Sequence, residues 1–321
     1  MKLSRLLSIL AVLVLGSLPV FAQVNDTYVI PAAANARGAF GTHWMTRFSV
    51  FNPHLDDTLR ISITFIPSGG APGLEELVDV PPNSTAWSDN ILQDLFGLTS
   101  GSGSLLVATF AEDNPHLPDD ILSRAFLVNT DTFNNRPDGT YGQTIPGEWA
   151  GLMDYDSDGI SSIAQGVRNS GKFRVNVGAV NLGRCEAVLY VSAYNAGGDV
   201  VLDAAPFYLP PLGHMQDSLP VAVDRGTLEF FVDDPCAADD ERYAIVFPYT
   251  SMIDQQTGDP SYQYPTLLAS PGILYAKGQK IEPTSIGKKI DSNFARRVRE
   301  QAQRGTGVKL VRTEQGLQIT K

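Results

Sequence analysis

The chain is 321 residues long, 43% apolar and 18% charged, with 29 Gly, 21 Pro and 2 Cys. That apolar fraction builds a packed core and excludes wholesale disorder, and a formal charge of −11 excludes a general nucleic-acid binder. Two cysteines exclude a disulfide-dense scaffold and a four-thiolate zinc site.

The N-terminus has the layout of a secretory signal. Lys2 and Arg5 precede an almost wholly apolar run, Leu6 to Val20, and Val20-Phe21-Ala22 supplies compact residues at −3 and −1. The run is shorter than the ~20 residues a helix needs to span a bilayer. Residues 1–22 are therefore expected to be cleaved. The mature chain is expected to be exported to the periplasm, cell surface or extracellular space, with no transmembrane segment.

Beyond residue 23 the apolar runs are short and often alternate, which is the strand period. Arg60 to Ile66 and Ser104 to Phe110 read as strands in the first half, and Ala187 to Tyr194 in the second. Asn90 to Phe96 is the helical exception, with a polar cap candidate before it and Gly97 after it. The predicted class is all-β, in two modules over 23–150 and 165–280. An acidic linker over 151–164 separates them.

The linker carries Asp154-Tyr155-Asp156-Ser157-Asp158-Gly159-Ile160. Carboxylates at alternate positions followed by Gly open a calcium loop, and the next carbonyl, from Ile160, adds a ligand. Asp154, Asp156, Asp158, Ile160 and Gln165 are the expected metal set, with Ca²⁺ as the ion. Gln165 stands at the twelfth position, where a bidentate Glu is usual. An acidic, solvated linker is the competing reading.

Cys185 and Cys236 both fall in the second module, 51 residues apart, and an exported chain pairs such cysteines. A loop of that size stabilises by about 4 kcal/mol in the chain-entropy model.

The last segment changes sign. From Lys277 on there are eleven basic and four acidic residues, and the tail itself is assigned to 281–321. Asp291 to Gln303 has helical periodicity with Phe294, Val298 and Ala302 on one face. Val308 to Arg312 and Leu317 to Thr320 read as a hairpin. The tail is expected to dock on the acidic body or on a partner chain.

The two modules match one another in order. Phe48 to Asn52 matches Val177 to Asn181, and Pro81-Pro82 matches Pro210-Pro211. Asp89 matches Asp217, Gly103-Ser104-Leu105 matches Gly226-Thr227-Leu228, and Arg124 to Val128 matches Tyr243 to Phe247. Trp44 to Pro53, Phe173 to Gly183 and Tyr141 to Pro146 resemble the strands of tandem immunoglobulin-like β-sandwich modules of secreted bacterial proteins, mostly of unassigned function. The resemblance implies two such sandwiches in series and supplies no catalytic residues.

A catalytic set is not legible. His43, His54, His116 and His214 have no metal-site spacing, and Gly101-Ser102-Gly103-Ser104 is a turn into a strand, not a nucleophile elbow. Trp149, Tyr141, Tyr262 and Tyr264 sit in loops closing the modules, where they cover core ends or stack on a sugar. Trp44 and Trp87 are expected in the core. The expected function is a non-catalytic, exported structural or adhesion protein acting through β-sandwich loops and edges on a protein or cell-surface partner. A carbohydrate-binding or carbohydrate-active protein, with a glycan as partner, is the alternative.

Overall fold

The computed structural model describes residues 25–38, 41–70, 72–136, 139–152, 160–233, 236, 244–269, 288–289, 292–304, 309–313 and 316–320. The leader and Asp154, Asp156 and Asp158 lie outside them. The described chain is all-β, and its strands form two sandwiches in series with a short α+β tail.

The first sandwich contains β1 (Thr27–Arg37), β2 (His43–Asn52), β3 (Leu59–Pro67), β4 (Leu74–Val80), β5 (Ser84–Ser88), β6 (Gly101–Ala108), β7 (Leu127–Arg136) and β8 (Gly139–Pro146). One layer runs β4-β3-β6-β1 and the other β5-β2-β7-β8. β1 joins them: residues 27–35 pair with β6 and residues 35–37 with β2, after a register shift between Ile30 and Ala33. Pro31 sits in that shift, where a missing N–H costs no ladder bond. Alternation builds the core. Thr46, Phe48 and Val50 of β2 are buried while Arg47 between them is exposed.

The expected helix over 90–96 shortens to one turn, α1 (Ile91–Asp94), capped by the Asn90 side chain. Gly97, at φ 69°, ends it with a reversal that a β-carbon disfavours.

The two-residue β9 (Ala150–Gly151) leads to the second sandwich. This contains β10 (Ile160–Asn169), β11 (Phe173–Asn181), β12 (Ala187–Tyr194), β13 (Val200–Leu209), β14 (Gly213–Ser218), β15 (Val223–Asp233), β16 (Val246–Asp254), β17 (Pro260–Gln263) and β18 (Thr266–Ala269). Its layers are β13-β12-β15-β10-β18 and β14-β11-β16-β17. Apart from β18, this repeats the first sandwich strand for strand. β10 begins five residues before the expected module start at 165, because Ile160 to Ile163 already pair with β18. Register also corrects one sequence match. Val50 faces Val128, and Ala179 faces Pro248, so β7 and β16 are related by 120 residues rather than the 119 of the sequence match. Cys185 and Cys236 lie with their sulfurs 2.09 Å apart.

Each sandwich has its own core. A third lies between them, where Val29, Ile66, Leu106 and Phe110 meet Val180, Leu182, Ile245 and Phe247. Leu105 and Val107 face the first core while Leu106 and Ala108 face this seam. That is why β6 reads as a continuous apolar run rather than an alternating one.

The tail docks on the same chain. β19 (Lys288–Lys289) pairs with β9, and α2 (Ser292–Gln301) follows. β20 (Gln303–Arg304) adds in parallel to β4. The hairpin β21 (Lys309–Thr313) and β22 (Gly316–Thr320) adds in parallel to β5. Two sandwich edges are thus covered, and Ile319 enters the first core. Of the expected face of α2, Val298 is buried, Ala302 is half-buried, and the Phe294 side chain lies outside the described residues. Ala295 and Val298 join the seam core, and Arg299 is buried beside them. Arg299 is tolerated there because it pairs with Glu75 at 2.5 Å and with Asp113, and lies 4.7 Å over the Phe110 ring. Arg296 pairs with Glu112 at 2.9 Å on the surface.

Candidate functional site

Beside the apolar seam the sandwiches part to leave a cleft of about 660 Å³. The first sandwich contributes the end of β1 up to Arg37, Trp44 at the start of β2, and Gln143 of β8. The second contributes Arg174 and Asn176 of β11, Tyr208 of β13, and Gln216 and Asp217 of β14. The walls come from both sandwiches because the β3–β4 turn and β14 meet there, with Ser68 bridged to His214.

A chain of hydrogen bonds crosses the seam at this cleft. Ser102 Oγ lies 3.0 Å from Ser68 Oγ, and Ser68 Oγ lies 2.7 Å from His214 Nδ1. His214 Nε2 lies 2.9 Å from the Tyr249 hydroxyl, which donates to Gln216 Oε1 at 2.8 Å. With Gln216 Oε1 as the acceptor, the chain has one self-consistent direction. Tyr249 gives its hydrogen to a carbonyl oxygen, so it accepts from His214 Nε2–H. Nδ1 is then the bare nitrogen and accepts from Ser68, which accepts from Ser102. Burial pushes the His214 pKa down to about 4, so the ring is neutral at neutral pH. Burial also raises the Tyr249 phenol well above its usual value.

The ring of Tyr249 lies between His214 and Tyr262, with centroids 6.0 and 5.8 Å away. It fits because its β11 partner is Gly178, where a β-carbon would fall inside the ring. Two further bonds cross the seam. Ser251 Oγ donates to Gln143 Oε1 at 3.1 Å, and Arg136 Nη1 donates to the Thr257 carbonyl at 2.9 Å.

Ser68 and His214 stand at the separation of a nucleophile and its base. Two features tell against acyl transfer. The group behind the imidazole is a phenol, and the two amides beside the hydroxyl are committed: Ser68 N–H donates to the Ser102 carbonyl and Gly69 N–H to the His214 carbonyl. Neither amide can then receive an oxyanion.

Of the expected metal set, Asp154, Asp156 and Asp158 lie outside the described residues. Ile160 opens β10, and Gln165 is exposed in the middle of that strand opposite Thr227. At ~3.3 Å of rise per residue the two are roughly 16 Å apart. The Ile160 carbonyl and the Gln165 side chain therefore stand apart along β10.

Among the expected aromatic contacts, Tyr264 donates its hydroxyl to the Ala150 carbonyl, and Tyr141 lies under the Arg136 guanidinium at 5.7 Å. Tyr262 packs against the first core, and Trp149 is half-buried. Trp44 and Trp87 are half-buried rather than core. Trp44 has the inward parity of Thr46 and Phe48 but lies beyond the last core layer, so it lines the cleft. Trp87 alternates outward between buried Ala86 and Ser88.

The Ser68–His214 contact spans 146 residues and has no local signature. Compared with known proteins, the chain matches no family model and no curated protein.

Proposed function

We propose that this chain is an exported, non-catalytic binding protein whose two immunoglobulin-like sandwiches act together and present the seam cleft to a cell-surface partner. The observation that carries this reading is the cleft itself, which takes its polar and aromatic groups from both sandwiches and has a directed hydrogen-bond chain along one side. Neither sandwich alone contains it. The commitment of the amides beside Ser68 supports binding over acyl transfer. Export rests on the charge and apolar pattern of residues 1–22, and the bonding distance of Cys185 and Cys236 fits an oxidising compartment. Among the described residues no helix is long and apolar enough to cross a membrane. We further propose calcium as a ligand of the loop before β10, through Asp154, Asp156, Asp158 and the Ile160 carbonyl.

The test of the cleft is steric. Ser218 is exposed on its wall, and Ser218→Trp should fill it without touching a core. Retention of the mature chain on immobilised cell-surface extracts should fall at least tenfold in the variant with its melting temperature unchanged. Undiminished retention would remove the cleft from the function. Export is checked separately, by finding the mature N-terminus at Gln23 in the exported fraction.

A further inference from the structure

We infer that the cleft is built for an acidic glycan, a chain of uronic-acid residues. This rests on the reading of the cleft as the binding site and specifies its ligand.

Charge is the first observation. The chain carries a net −11, yet two arginines and one carboxylate, Asp217, line the cleft. Arg37 is at the end of β1 in the first sandwich, and Arg174 is near the start of β11 in the second. Neither guanidinium makes a hydrogen bond or an ion pair among the described residues. Elsewhere on the surface Arg47 is paired with Asp89, Arg60 with Asp79 and Arg296 with Glu112. Two unspent planar cations across one groove are the donors that carboxylates take in bidentate fashion.

The second observation is what lies between them. Gln216 spends its Oε1 on Tyr249, which leaves the amide N–H groups of this exposed side chain for the cleft. Trp44, whose side chain carries an indole N–H, lines the cleft from the first sandwich. The directed chain through neutral His214 ends at Ser102, whose oxygen keeps a lone pair to accept from a hydroxyl. The cleft thus pairs two charged donors, Arg37 and Arg174, with uncharged polar groups from Gln216, Trp44 and Ser102. A ligand rich in oxygen, with carboxylates at intervals and hydroxyls between, matches that arrangement. A free inorganic anion would leave the amide and hydroxyl groups unused.

The third observation is the ring of Tyr208, 67% exposed on β13 at the cleft wall. A large exposed ring with a polar tip is suited to the apolar face of a pyranose. With Trp44 it gives the cleft two aromatic surfaces, one from each sandwich.

The test is calorimetric titration of the mature chain with four probes: polygalacturonate oligosaccharides, their methyl esters, a neutral dextran oligosaccharide, and a sulfated dextran oligosaccharide that has no uronate. The acid should bind, more weakly as salt rises, and esterification should cost about tenfold or more. Arg174→Ala, Arg37→Ala and Tyr208→Ala should each weaken binding about tenfold, and Arg174→Lys should recover part of the loss. These side chains are outside the cores, so unchanged melting curves should accompany the losses. Equal binding of acid and ester, preference for the sulfated probe, or indifference to both arginine substitutions would overturn the inference. If no uronate binds while Ser218→Trp still abolishes retention on surface extracts, the cleft stands and only the acidic glycan falls. If Ser218→Trp has no effect, the underlying reading falls first.

Discussion

Asn52 and Asn181 occupy equivalent places in the two sandwiches and make the same bonds. Each ends the second strand of its sandwich and is fully buried. Asn52 Nδ2 donates to the Pro81 carbonyl at 3.2 Å, and Asn181 Nδ2 to the Pro210 carbonyl at 3.3 Å. Each Oδ1 accepts the amide two residues on, from His54 and from Gly183. Asn52 adds donations to the carbonyls of Asp57 and Val80, and Asn181 to that of Cys185. The side chain closes a turn whose carbonyls would otherwise be buried without donors. Asn52→Ala and Asn181→Ala should each cost on the order of 3 kcal/mol in chemical denaturation. Asn52→Asp should be no better, because a carboxylate cannot donate to those carbonyls. A loss under 0.5 kcal/mol in both alanine variants would show that water replaces the amide.

These asparagines also show what was legible in the sequence. The repeat could be found because a buried turn of this kind admits few side chains, so Asn and the Pro-Pro pair recur at one spacing. The helix at α1 and the tail hairpin were legible from caps and period, though their ends were not. The seam was half legible. Leu105-Leu106-Val107-Ala108 is apolar on both faces, which marks a strand covered on both sides without saying by what. The cleft could not be read. Ser68 belongs to a glycine-rich turn and His214 to a polar strand, and only the docking of two sandwiches brings them together. On α2, Val298 was legible as buried but Arg299 was not, because periodicity counts it as polar, whereas Glu75 and Asp113 make its burial possible.

The seam should respond to pH in two opposite senses. His214 has its pKa lowered by burial from 6.5 to about 4. Its contribution is complete above the unfolded value and is lost as pH falls from 6.5 towards 4, on the order of 3 kcal/mol in total. Glu148, beside Tyr262 and Tyr264, is raised by burial from 4.5 to about 7. Its contribution is complete below 4.5 and is lost as pH rises towards 7. Melting temperatures between pH 4 and 8 should therefore peak inside this range. His214→Gln should flatten the acid limb and Glu148→Gln the neutral one. If wild type and His214→Gln share the same slope from pH 6.5 to 4, the imidazole is not buried as described.

The tail should be held by Arg299 more than by its surface charges. Arg299 and Glu75 are both buried, whereas Arg296 and Glu112 are well exposed. Arg299→Ala leaves a buried carboxylate without its cation and should weaken docking by about 3–5 kcal/mol. Arg296→Ala should cost less than about 1 kcal/mol. Limited proteolysis reads the difference: Arg299→Ala should release the tail far faster than wild type, and Arg296→Ala at nearly the wild-type rate. The double variant Arg299→Met, Glu75→Leu should restore part of the protection, since no buried charge remains. Equal release rates for the two single variants would mean that the hairpin on β5 holds the tail instead.

Calcium should bind through the loop alone. Leu152 exchanges both backbone bonds with Val246 before the loop, and Ile160 pairs with Ala269 after it. The chain is thus fixed to the second sandwich on either side of residues 153–159. In the proposed site the alternate carboxylates Asp154, Asp156 and Asp158 and the Ile160 carbonyl would supply four protein ligands. Calcium takes six to eight oxygens, so water must supply the remainder and affinity should be in the millimolar range of extracellular sites. At calcium about tenfold above its dissociation constant, the folded chain gains about 1.4 kcal/mol, which should raise the melting temperature by about 3 °C. Asp156→Ala should abolish the rise. Gln165→Ala should leave it intact, because that side chain lies in β10, too far along the strand to share the ion with Ile160. A Gln165→Ala variant that loses the calcium response would restore the twelve-residue loop, and no response in the wild type at ~10 mM calcium, about tenfold above the dissociation constant of the weakest such sites, would leave the segment an acidic linker.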